Sequence, residues 1–155
     1  MLDQYDPCWW NGSLCSYPPD LEVLDLSNNQ LRSLSPSLFS LHGLHKLILS
    51  GNLLQQLPVE VRALQLLTKL DISGNRLESL PSELFNGCLE LREFNASHNY
   101  LRSLPKEVGA LTKVCRLDLR SNSLEELPCE LVQCSGLYGG GLHVLHLLAN
   151  FMYSI

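Results

Sequence analysis

Two pairs of histidines stand close in this sequence, His42-x-x-His45 and His143-x-x-His146. Imidazole is the commonest metal-binding side chain, but a tetrahedral zinc site needs further donors. Neither pair has the i, i+4 spacing that shares a helical face, and no cysteine or acid nearby completes a set. Solvated side chains are the expectation. The six cysteines, Cys8, Cys15, Cys88, Cys115, Cys129 and Cys134, show no C-x-x-C spacing and are too sparse for a disulfide framework. Gly139-Gly140-Gly141 lacks the Lys-Ser/Thr that follows a phosphate-binding loop, so it reads as a linker. No G-x-S-x-G or G-x-G-x-x-G occurs. Asn11-Gly12-Ser13 and Asn95-Ala96-Ser97 are glycosylation acceptors, which matter only in a secreted chain. No catalytic residue, metal or cofactor is expected, and the chain does not read as an enzyme.

Composition narrows the class further. Hydrophobic residues make up 45% of the 155 and charged residues 17%, which excludes general disorder. Eleven Lys+Arg against 16 Asp+Glu give a net charge of −5, the wrong sign for a nucleic-acid binder. The first residues, Met1 to Asp6, carry two acids and no apolar core, so no secretory signal is read there. A reduced, cytoplasmic protein is expected. The charge-free stretch Leu142 to Ile155 is shorter than the ~20 apolar residues of a spanning helix, so any membrane contact would be indirect.

The elements that must position any site come from a repeat. Leu21, Leu24, Leu26 and Asn29 recur as Leu44, Leu47, Leu49 and Asn52, then as Leu67, Leu70, Ile72 and Asn75. They recur again as Leu91, Phe94, Ala96 and Asn99, and as Val114, Leu117, Leu119 and Asn122. The starts are 23, 23, 24 and 23 residues apart. Alternation around Leu24 and Leu26 marks a short half-buried strand, and the Asn column sits at the bend that ends it. An amide side chain there can both donate to and accept from backbone groups of neighbouring turns. Asn29, Asn52, Asn75, Asn99 and Asn122 are therefore a structural ladder.

Each unit closes with its own signature. Leu57-Pro58-x-Glu60, Leu80-Pro81-x-Glu83, Leu104-Pro105-x-Glu107 and Leu127-Pro128-x-Glu130 predict a short helix, with proline at its first turn and glutamate on its N-terminal dipole. The first unit departs, with Ser35-Pro36-Ser37. Leu41, Leu64 and Leu111 dock these helices on the core, and Cys134 does so as a small buried hydrophobe. The extra residue of the third unit falls at Asn86-Gly87, where a convex surface loop is expected to absorb it. Units of this kind bury their leucines only by stacking.

The expected organisation is an N-terminal cap-like segment over residues 1–20 and five repeats over 21–136, at 21–43, 44–66, 67–90, 91–113 and 114–136. Trp9, Trp10, Tyr5 and Tyr17 would cover the open first repeat. Residues 137–155 read as a truncated or divergent sixth repeat, because Leu142, Leu145, Leu147 and Asn150 fit the strand template without a Leu-Pro-x-Glu half. Leu142, Val144, Leu145, Leu147, Leu148, Phe151 and Met152 would then form an exposed, association-prone edge.

These residues resemble the leucine-rich repeat superfamily over Leu21 to Gly136, and the 23-residue Leu-Pro-x-Glu units resemble its intracellular Ras-group class. The resemblance implies an α/β solenoid: a right-handed β/α horseshoe segment, with a parallel concave sheet and short helices or turns on the convex side. It also implies a non-enzymatic protein-interaction module in intracellular signalling, a scaffold or adaptor whose partner is a small GTPase, a phosphatase or another signalling protein. Two other readings are a recognition fragment of a multidomain kinase or GTPase, and an extracellular receptor-type repeat.

Strand alternation places the third, fifth and seventh template positions on the concave side. Asp25, Asp71 and Asp118 fall two strands apart, roughly 10 Å, too far to share a proton or a metal ion. Lys69 with Asp71 and Arg116 with Asp118 could form a solvated charge ladder worth ~0–1 kcal/mol per pair. The mixed surface of Lys46, Ile48, Lys69, Asp71, Asn95, Arg116, Asp118 and Arg120 is the expected protein-binding face.

Overall fold

The computed structural model describes residue 18, residues 20–134 and the backbone of Val144–His146. The expected N-terminal cap, the apolar tail and the second histidine pair lie outside these residues, apart from that last strand. Each unit contributes one three-residue strand: β1 Val23–Asp25, β2 Lys46–Ile48, β3 Lys69–Asp71, β4 Glu93–Asn95, β5 Arg116–Asp118 and β6 Val144–His146. They form one parallel sheet in the order of the chain. The register aligns Leu24, Leu47, Leu70, Phe94, Leu117 and Leu145 in a single column. The sixth template match is thus a strand in the expected register.

Leucines of successive units pack behind the sheet as one core, in which Leu47, Leu49, Leu70, Leu77 and Leu117 are almost wholly buried. Each such side chain stabilises by about 1.5–3 kcal/mol. The fourth unit carries Phe94 and Ala96 where its neighbours carry two aliphatic side chains, and Phe94 meets Phe85 edge to face at 6.0 Å. Aromatic pairs prefer this arrangement because the ring edge is positive and the face negative.

The Asn ladder does what its spacing implies. Asn75 Oδ1 accepts from Leu54 N–H one unit earlier, while its Nδ2 donates to Leu49 O and Ile72 O. Asn52, Asn99 and Asn122 repeat the pattern. Among the described residues Asn29 reaches only carbonyls of its own unit, Leu26 and Ser27. The residue just before each ladder Asn has positive φ: Asn28, Gly51, Gly74, His98 and Ser121. Glycine takes that conformation freely, whereas His98 and Ser121 hold it at a cost of roughly 1–3 kcal/mol each.

The convex turns depart from expectation in two respects. Four are single-turn 3-10 helices, at Pro36–Ser40, Val59–Ala63, Lys106–Ala110 and Cys129–Gln133. Pro58, Pro105 and Pro128 precede them as extended N-cap residues rather than occupying the first turn. The third unit instead forms a true helix, α1, Ser82–Gly87. Its extra residue does not bulge into a loop. It lengthens the closing bond from i−3, as in Leu64 N–H to Val61 O, to i−4, as in Cys88 N–H to Leu84 O. Cys88 therefore takes the docking place that Leu64 and Leu111 fill elsewhere, fully buried, as is Cys134. Burial pushes the Cys88 thiol up to about 12, so at neutral pH it stays protonated and inert.

Candidate functional site

The concave face is built from the strand positions that point away from the core. In four of the five fully described units the fifth-position side chain turns onto its own chain two residues on. Asp25, Asp71, Asn95 and Asp118 each accept the backbone N–H of the seventh position through Oδ1, at 2.9 to 3.1 Å. Asp71 and Asn95 also accept the hydroxyls of Ser73 and Ser97, at 2.6 and 2.7 Å. At Asp25, the Ser27 hydroxyl and then its backbone N–H hold the carboxyl below its usual value, against a small opposing effect of burial. Ile48 has no group to make this bond. It is the one apolar member of the column, half-buried between Asp25 and Asp71 in register.

The charges pair differently from the within-strand ladder anticipated. Glu93 lies between Lys69 and Arg116 on adjacent strands, 3.2 Å from Lys69 Nζ and 3.9 Å from Arg116 Nη1. Asp118 is held by Arg120, whose Nη2 donates to Oδ2 at 2.6 Å and whose Nε donates to Oδ1 at 2.9 Å. The guanidinium of Arg120 rises above its usual value through these bonds and the charge of Asp118. The physical reason for the changed pairing is spacing. Neighbouring strands are ~4.8 Å apart, so side chains reach across them easily, and the one pair formed two residues apart, Arg120 with Asp118, takes the carboxylate that Arg116 would otherwise meet. The short aspartates are already engaged by their own loops, so Lys69 and Arg116 reach sideways to the longer glutamate.

Lys69, Asp71, Asn95, Arg116, Asp118 and Arg120 line one open depression of about 310 Å³, with Leu70 and Phe94 at its base. Six of the eight residues expected on the binding face are therefore brought together. Lys46 and Ile48 lie one strand away on β2, outside the depression. Glu93, in the third-position column of the concave side, was not among the residues expected to meet a partner, although its opposite charge between Lys69 and Arg116 was a readable signal. Asp118 is 7% exposed while Arg116 presents more than half of its side chain, and Lys69 and Glu93 are equally exposed between these extremes.

Among the described residues no cluster of His, Cys, Asp and Glu could hold a metal ion, and no helix is long and apolar enough to cross a membrane. His42 is exposed, its Nδ1 3.5 Å from Ala63 O. His45 corrects the expectation of two solvated imidazoles: it is half-buried, and its Nδ1 is buried without a hydrogen-bond partner.

Comparison with known proteins agrees with this geometry. A leucine-rich repeat protein of Leptospira interrogans is 37% identical, with a TM-score of 0.80 over 86% of this chain and 32% of that one. The BIR2 ectodomain of Arabidopsis thaliana is 31% identical, with a TM-score of 0.55 over 61% of this chain and 51% of that one. A chain of the Arabidopsis thaliana BIR3–SERK2 complex is 32% identical, with a TM-score of 0.64 over 82% of this chain and 68% of that one. The chain spans about a third of the length of the Leptospira protein. No curated protein sequence matches it. The family model for leucine-rich repeats matches residues 19–77 and 65–124, together more than half of the chain. The chain belongs to the leucine-rich repeat family.

Proposed function

We propose that this chain is a non-enzymatic protein-interaction module that docks a partner on its concave sheet and serves as a scaffold or adaptor in cytoplasmic signalling. The observation that carries the reading is the depression over β3 to β5, where Lys69, Glu93 and Arg116 form an exposed charge line beside aspartates held in their own loops. Fixed mixed charge of this kind steers encounter and selects partners more than it adds affinity. A signalling protein such as a small GTPase or a phosphatase fits the intracellular Ras-group resemblance of the Leu-Pro-x-Glu units.

Lys69→Ala with Arg116→Ala is the clean test, because reversing Asp71 would also break its bonds to Ser73. The double variant is expected to lose about tenfold in partner capture while stability changes by no more than about 1 kcal/mol, as befits exposed ion pairs. Full capture by this variant, with loss on substitution of convex Glu60 and Glu83, would move the site to the other face.

A second reading, an extracellular receptor-type repeat, is favoured by the likeness to the BIR2 ectodomain. It predicts glycan on Asn95, whose Oδ1 is engaged by Ser97 while its side chain stays half-buried on the concave face. A glycosidase-sensitive mass shift of the chain expressed in its own cells supports this reading. An unshifted chain in the cytosolic fraction supports the first.

A further inference from the structure

A second surface lies on the flank just past the Asn bend, separate from the concave sheet. Here the chain runs extended through each unit and a backbone ladder ties unit to unit. Leu53 N–H donates to Leu31 O, Arg76 N–H to Leu54 O, and Tyr100 N–H to Leu77 O, each at 2.8 Å. One step further along, Arg102 N–H reaches Glu78 O and Glu125 N–H reaches Arg102 O. No equivalent bond joins Gln55 to Arg32 or Glu78 to Gln55 among the described residues. The ladder is open along the first three units.

A groove of about 630 Å³ follows the same stretch. Leu34 and Pro58 contribute its apolar lining, and Arg32, Arg76, Glu78 and Tyr100 its polar and aromatic lining. Neither Arg32 nor Arg76 has an ion pair or hydrogen bond from its guanidinium among the described residues, in a chain of net charge −5. Tyr100 is 58% exposed at the edge of this groove. Arginine and tyrosine are the side chains that most often anchor protein interfaces.

We propose that this flank groove binds an extended acidic peptide segment of a partner protein, with Arg32 and Arg76 each taking one carboxylate and Tyr100 packing on the peptide beside them. Arg32 and Arg76 stand two units apart, ~10 Å along the solenoid, and two positions apart within the repeat, the third and the first after the ladder Asn, so one carboxylate cannot serve both. Acids three positions apart on an extended polyproline-II segment, with three residues per turn and ~3.1 Å per residue, lie on one face ~9 Å apart, within reach of both long side chains. Guanidinium forks hold carboxylates through paired, charge-assisted hydrogen bonds. Glu78 stands on the same wall and repels an unbroken acidic run, which also disfavours a nucleic-acid strand with a phosphate at every step.

The test uses the full chain, labelled with nitrogen-15, and three probes. These are a short acetylated, amidated peptide with two glutamates three positions apart, the same peptide with lysines in their place, and a uridine oligonucleotide. The glutamate peptide is expected to give saturable shifts at Arg32, Arg76 and Tyr100, and the lysine peptide none. Arg32→Ala with Arg76→Ala should weaken glutamate-peptide binding about tenfold at an unchanged melting temperature, while the Lys69→Ala, Arg116→Ala variant binds it as the parent does. The proposal is overturned by absence of glutamate-peptide binding, by shifts centred on the concave residues, by equal binding of the lysine peptide, or by tighter binding of the oligonucleotide.

Discussion

Replacing Asn75 by alanine should lower the unfolding free energy by about 3–5 kcal/mol, whereas the same change at Asn29 should cost about 1 kcal/mol or less. The two residues occupy one column of the repeat, so sequence alone gives them the same weight. Asn75 is 5% exposed, and its Oδ1 is the partner of Leu54 N–H, 3.0 Å away. Removing it strands that donor in the interior, which costs about 1–3 kcal/mol by itself. The carbonyls are less affected, because Leu49 O also receives Asn52 Nδ2 and Ile72 O also receives Asn99 Nδ2. Two good bonds are still lost there, at about 1 kcal/mol each. Asn29 is half-exposed and accepts no backbone N–H through its amide among the described residues; Leu26 O, which it shares with Asn52, keeps a donor. Urea unfolding of both variants decides the matter. Equal losses at the two positions would mean that the ladder acts within units and not between them.

That contrast marks what the sequence made legible. Periodic features were readable because each is repeated: the leucine columns, the Asn bend, and even the sixth strand, whose Leu145 stands opposite Leu117. Relations between units were less so. The pairing of Glu93 with Lys69 and Arg116 depends on a 4.8 Å lateral spacing that a linear reading does not weigh against the alternation along one strand. Asp71 and Asp118 were read as partners of Lys69 and Arg116 or as recognition charges, yet both are tied to the backbone two residues on. Short polar side chains next to a bend bond locally, which is why the exposed charge line runs through Lys69, Glu93 and Arg116 and not through the aspartates. The one-residue insertion misled most, because a change from i−3 to i−4 closure leaves no trace in the pattern except the displaced Cys88.

At that insertion, Gly87→Ala should destabilise the chain, against the ordinary rule for helices. Alanine in place of glycine within a helix normally stabilises by up to about 1 kcal/mol, through propensity and a stiffer unfolded chain. Gly87 closes α1, whose lengthened turn is pressed against the preceding 3-10 helix Val59–Ala63. A methyl group built there would sit 2.4 Å from both the Cα and the carbonyl oxygen of Arg62, and 2.6 Å from its Cβ. Two of these neighbours are backbone atoms, so no rotamer change relieves the contact. Either α1 withdraws from the helix before it, or the turn reverts toward the looser loop that the sequence suggested. Both movements pull Cys88 out of its buried place, where its thiol donates to Val61 O at 3.4 Å. Overpacking of this kind costs about 1–3 kcal/mol, which exceeds the propensity gain and fixes the sign. Asn86→Ala is the control: it lies in the same helix with an exposed side chain, and it should be neutral or slightly stabilising. The two variants should diverge in urea midpoint, and alkylation of Cys88 by a small thiol reagent should accelerate in Gly87→Ala alone. A Gly87→Ala chain at least as stable as its parent, with Cys88 still protected, would show that the two turns are not in contact as described.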